Sequence, residues 1–147
     1  MKKSIRKISF IAIMLCVVML AANCKKDETT TTPPADARDI FIGNFQMLDS
    51  AWAGGMQNGI NTLNIVISKN STDVTKINIS NLNNTGNIVT ANVSGNLFII
   101  TNQQFGTDGN TIGGSGRLEN NKLYYEYDIN NGTFIKVIRG QGTKFTK

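Results

Sequence analysis

Hydrophobic positions fall into two regimes along the chain. From Ile8 to Ala22 they form one continuous apolar run broken only by Ser9. From about Asp39 onward they come in short stretches of Ile, Val, Thr, Phe and Tyr, separated by clusters of Gly and Asn. No window there sustains the i, i+3, i+4, i+7 spacing of an amphipathic helix, whereas period-two alternation recurs, which is the grammar of strands and turns. Eight strands are predicted: 41–48, 62–68, 74–79, 88–94, 97–104, 111–119, 123–129 and 133–139. Leu63, Ile65 and Ile67 share one face of the second, and Val89, Ala91 and Val93 one face of the fourth. In the seventh, Leu123, Tyr125, Tyr127 and Ile129 oppose Tyr124, Glu126 and Asp128.

The predicted connections are short: Asn83–Asn87, Gly95-Asn96, Asp108-Gly109, Asn120-Asn121 and Asn130–Gly132. Gly and Asn tolerate the positive φ that tight hairpins demand. Successive hairpins make an antiparallel up-and-down meander, because parallel pairing needs crossovers of a dozen or more residues. Closure removes the exposed edges of such a sheet, and about eight strands enclose a space that side chains or one small ligand fill. The expected fold is therefore all-β, an eight-stranded antiparallel barrel, with an open two-layer sandwich as the second choice. A membrane-spanning barrel fits poorly, since its strands need about 9–11 residues with an apolar outer band.

Charge sharpens the division between the two regimes. The formal charge is +5, but Lys2, Lys3, Arg6 and Lys7 lie in the first seven residues and all acidic residues lie after Cys24. The remainder is close to neutral, so no footprint for nucleic acid is left. A basic stretch, an apolar run of this length and the small residues Ala21 and Ala22 read as an export signal over 1–23; a transmembrane helix needs about 20 apolar residues. Residues 24–38 read as a Thr/Pro-rich tether, and 39–147 as the barrel domain.

Leu20–Cys24 resembles a lipobox, with Ala21 where leucine is usual and Asn23 where glycine or alanine is usual. That resemblance implies a covalent lipid such as palmitate on Cys24 and attachment to the membrane through this N-terminal anchor. Lys25-Lys26-Asp27-Glu28 is similar to the export tag of Bacteroidota-type surface lipoproteins, which implies the outer membrane and exposure at the cell surface; a solvated spacer is the plainer reading. Within the predicted barrel, Gly43-Asn44-Phe45 resembles the Gly-x-Trp signature of lipocalins, with Phe for Trp. Together with Ile112–Leu118 and the alternating 123–127, it is similar to small lipocalin-like (calycin-type) lipoproteins. The resemblance implies a barrel closed at one end, with a mouth for an apolar small molecule.

Catalytic chemistry finds no footing. There is no histidine, and Cys16 and Cys24 both precede the domain, so nucleophilic triads and Cys/His zinc sites fail. Thr107–Asn110 has too few carboxylates for a calcium loop, and the glycines at 113–116 lack the Lys-Ser/Thr and helix of a phosphate loop. Glu126 and Asp128 share a face but oppose the more apolar one, so they are expected to meet water. No catalytic residue, metal site or cofactor beyond the lipid is expected, and the chain is not expected to be an enzyme. Asp49-Ser50-Ala51 resembles a bacterial O-glycosylation motif, with chance occurrence the stronger reading.

Binding is the class that remains. Phe45, Tyr125 and Tyr127 are expected to line the interior, and Trp52 to sit as a lid on a flexible loop after the first strand; ordinary core packing is the blander reading of all four. Small residues at Ala91, Gly114 and Gly116 leave room inside, whereas Leu63, Ile65, Ile67 and Tyr125 fill it. Two functions follow from this balance. One is an envelope binding module for a small apolar ligand or glycan; the other is a structural lipoprotein with a filled barrel that contacts another envelope protein.

Overall fold

The computed structural model describes residues 35–146. The segment expected to be an export signal (1–23), Cys24 and residues 25 to 34 lie outside the described residues. Eight antiparallel strands follow one another: β1 (Gly43–Ala53), β2 (Met56–Lys69), β3 (Lys76–Ser80), β4 (Ile88–Ser94), β5 (Leu97–Gln104), β6 (Thr111–Glu119), β7 (Lys122–Asn130) and β8 (Ile135–Phe145). Each pairs with its neighbour in sequence, and β8 returns to β1 from Asn44↔Phe145 to Ala53↔Lys136, closing the barrel. The all-β meander expected from the alternation is therefore what the chain forms.

Strand ends differ from expectation where polar residues hide a strand. β1 and β2 form one long hairpin turning at Gly54-Gly55, so Gln57-Asn58-Gly59, loop-like in composition, is strand. A bulge between Ala51 and Trp52 takes up the extra residue. β8 continues six residues past Arg139 because Gly140 and Gly142 supply no side chain to mark a face. The folded unit also begins earlier than the composition suggests, at Ala35.

Side chains alternate as the pleat requires. Phe45 and Met47 of β1, Leu63, Ile65 and Ile67 of β2, Ile77 and Ile79 of β3, and Leu123, Tyr125, Tyr127 and Ile129 of β7 are buried in one core. Burying each large side chain contributes about 1.5–3 kcal/mol, and no disulfide assists this core, since no cysteine follows Cys24.

Both ends of the barrel are plugged. At the end where the chain enters, Phe41 is fully buried and meets Phe98 edge to face, ring centroids 5.6 Å apart. A polar clasp holds this entry segment in place. Arg38 donates to the carbonyls of Asn70 (3.3 Å) and Asp73 (3.2 Å) in the β2–β3 connection, while Lys69 reaches Asp36 (2.9 Å) and Asp39 (2.6 Å). At the opposite end, a 3-10 turn at Leu82–Asn84 between β3 and β4 buries Leu82, and Phe105 of the β5–β6 connection is buried in the same core. Asn81, Asn83 and Asn84 adopt left-handed φ there, which asparagine tolerates better than most residues.

Candidate functional site

Three of the four aromatic residues singled out in the sequence lie inside the barrel, and two of them meet there. Phe45, Tyr125 and Tyr127 are each at most 5 % exposed, and the two tyrosine rings lie 5.3 Å apart. Trp52 does not join them. It lies within β1 rather than on a flexible loop, and it takes the outward parity of the strand, where Arg139 sits 6.0 Å from its ring. The bulge beside it lengthens the ladder and carries what looked like a loop into the sheet.

The room expected at the inner glycines is occupied. A side chain at Gly116 would meet the Phe98 ring, one at Gly114 the backbone and Cβ of Tyr127, and one at Gly142 the sulfur of Met47. Glycine here lets a large neighbour lie flat against the wall instead of leaving a hole.

The residue that sequence reasoning missed is Asp49. Its position in β1 points inward, and it is the one buried carboxylate among the described residues, 5 % exposed. The Tyr125 hydroxyl donates to Asp49 Oδ1 at 2.6 Å, across the gap left by Gly140, where a Cβ would collide with both partners. Burial pushes the Asp49 carboxyl up to about 6, opposed by the hydrogen bond from Tyr125 and the charge of Lys136. Tyr125 and Tyr127 are both driven well above the ordinary tyrosine range, chiefly by burial and then by the Asp49 charge. The Tyr127 hydroxyl lies near Asp49 and the Asn83 backbone, yet makes no hydrogen bond of good geometry. Lys136 Nζ donates to Asn83 Oδ1 at 2.9 Å, tying β8 to the 3-10 turn. Strict alternation from Phe45 and Met47 was the signal that could have placed Asp49 inside; its hydrophilicity masked it.

A broad concavity lies on the outside of the wall. Two rows of outward side chains cross six strands in register. One runs Leu97, Arg117, Tyr124, Gln141, Leu48, Thr62; the other runs Ile99, Ser115, Glu126, Arg139, Ser50, Ile60. Between them is a groove of about 630 Å³. Its apolar lining is unusually bare: Leu48 is 46 % exposed, Leu97 50 %, Ile99 58 % and Ile60 62 %. The polar lining is paired along the wall, with Arg139 to Glu126 at 2.6 Å and Arg117 over Tyr124 at 4.7 Å. Inner glycines at 116 and 140 also line it, because without side chains beneath them the wall can settle against the core. Glu126 and Asp128 lie on the outward parity, as their alternation implied.

A smaller polar recess of about 260 Å³ sits on the β4–β5 seam. There β4 and β5 pair only from Asn92 to Ser94. Above that point the Gln103 amide stands in for a strand, accepting from the Thr90 N–H at 3.1 Å and donating to the Thr90 carbonyl at 2.8 Å. The described residues contain no cluster of acidic, cysteine or histidine side chains able to hold a metal ion. Comparison of the chain with protein-family models and with curated proteins finds no match.

Proposed function

We propose that this chain is a lipid-anchored, non-enzymatic binding module of the bacterial outer membrane, of the lipocalin-like lipoprotein kind, which takes a small apolar ligand with a polar end. The leader and Cys24 support the anchor, and the ligand site is the outer-wall groove. What carries this reading is the contrast between a packed interior and an exposed apolar groove. The volume of the groove falls within the range of about 300–1,000 Å³ usual for small-ligand sites. Leu48, Ile60, Leu97 and Ile99 would take the apolar body, while Arg117, Arg139 and Glu126 hold the polar end.

The second reading is an interaction lipoprotein whose filled barrel contacts another envelope protein. Plugging by Phe41 at one end and Leu82 at the other favours it over a ligand held inside. Native mass spectrometry of the detergent-free chain with fatty acids, phospholipids and short glycans separates the two. A bound mass lost in Leu97→Asp and Ile99→Asp, but kept in Tyr127→Phe, supports the outer groove. A bare mass under every condition refutes ligand binding and leaves the protein-contact reading.

A further inference from the structure

Closure of the barrel is uneven. β2 pairs with β1 from Met56 to Ile67, yet meets β3 only from Val66 to Lys69. Its first ten residues, 56–65, therefore have no partner in β3 on the side away from β1. The Asn64 carbonyl faces that side and is taken by Asn81 Nδ2 at 2.8 Å. Since alternate residues of a strand turn their backbone groups to the same side, Ile60 and Thr62 also direct N–H and C=O that way. No strand lies opposite them among the described residues, and both residues are exposed.

Open edges are ordinarily blunted with charges, proline or short length, because an unprotected one templates another strand. This edge has none of these defences. No charged residue and no proline occurs between Asp49 and Lys69.

From this we infer that the free edge of β2 pairs with the same edge of a second copy of this chain, antiparallel about a two-fold axis through Asn61. In that register Ile60 of each copy lies opposite Thr62 of the other. The two pairs exchange four backbone hydrogen bonds and use every open group of both residues. A second copy is the occupant the edge suits, because an uncharged strand meets its own image without like-charge repulsion. The pairing is also isologous, so it stops at two copies. The interface is small, so the dimer is weak in dilute solution. Confinement of both chains to one membrane, on the anchored reading above, raises their effective concentration.

A disulfide trap in cells tests this on the full chain with its own leader. The two Asn61 residues form a non-hydrogen-bonded pair across the axis, where Cα atoms lie about 4.5 Å apart, within disulfide reach. N61C is expected to give a covalent species of twice the chain's mass on non-reducing gels. N96C, at an exposed turn at the other end of the barrel, and the unmodified chain should not. T62P removes a donor on the open side and leaves the β1 ladder intact, and I60K places a charge against the partner edge. Either one, in the N61C background, should lower the trapped fraction about tenfold, and an I60K/N61C chain co-expressed with T62E/N61C should restore it. Trapping at N61C no greater than at N96C, or trapping indifferent to both edge variants, overturns the inference. So does a cross-linked mass that is not twice the chain's own, which identifies a different partner strand. N61C and T62P alter no residue that lines the groove, so trapping by N61C and its loss in T62P are read independently of ligand binding there; I60K changes a lining residue and serves only as a second edge variant.

Discussion

Asp49→Asn should make the domain more stable at neutral pH, although it removes a charged hydrogen-bond acceptor. Burial raises the Asp49 carboxyl from 3.8 to about 6. Between those values the folded chain holds a proton that the unfolded chain releases, so stability falls as pH rises through the window from about 4 to 6. Each unit of difference corresponds to about 1.36 kcal/mol, so the ionised carboxylate costs the fold about 2–3 kcal/mol above pH 7. An asparagine carbonyl still accepts from Tyr125 without that cost. For a domain of this size the gain corresponds to a rise in Tm of roughly 10 °C. Thermal and urea unfolding of both chains from pH 4 to pH 8 measures it as a gap that opens with rising pH and nearly vanishes at pH 4. The comparison isolates Asp49, because Asp36 and Asp73 titrate identically in both chains. Their carboxyls lie below the usual range, held there by hydrogen bonds from Arg38 and from Thr75 respectively. They therefore contribute stability above about pH 4 that is lost only as pH falls further. A gap independent of pH, or an Asn variant weaker than the parent at pH 7.5, refutes the assignment of Asp49 as a buried carboxylate held at a cost.

Four further outcomes are expected. Gly140→Ala should cost about 2–3 kcal/mol by forcing Tyr125 and Asp49 apart, and a urea midpoint within error of the parent would contradict that packing. Leu82→Ala should cost about 2–4 kcal/mol by emptying the plug of the 3-10 turn, read by the same midpoint. Gln103→Leu leaves the Thr90 amide without its partner; a loss of about 1–2 kcal/mol and faster hydrogen exchange at Thr90 are expected, with unchanged exchange as the contrary result. Cys24→Ala should abolish incorporation of labelled palmitate and release the chain from the membrane fraction, and persistent labelling would place the lipid elsewhere.

The barrel was legible in the sequence because its evidence is periodic. Leu63, Ile65 and Ile67 alternate with polar neighbours, and Asn120-Asn121 supplies the pair of positive φ values, 50° and 61°, of a two-residue hairpin. What was illegible breaks that code. Gln57–Gly59 is strand written in loop residues, held by its ladder to β1 and not by burial. Gly114 and Gly116 looked like empty space, because composition says what a residue lacks and not which neighbour fills the gap; Phe98 comes from another strand. Asp49 falls one residue past the expected end of the first strand at 48, although its parity matches Phe45 and Met47 and the strand runs on to Ala53. The groove was equally hidden, since its two rows draw on six strands and exist only once the register is fixed.

The clasp around Arg38 has a mechanical side. Tension arriving along the chain from residue 34 meets Asp36, Arg38 and Asp39 before it reaches any strand. Those residues are fastened to Lys69 at the end of β2 and to the β2–β3 connection, so a pull loads several polar contacts at once. Phe41 follows directly behind them as a stopper. Should the clasp slip, the next event is the drawing of that stopper from the barrel end, ahead of any rupture of β1, which is secured along its whole length by two neighbours. A domain built this way has a graded response to drag. Modest force extends the entry segment and exposes Phe98 while the eight-stranded wall stays intact.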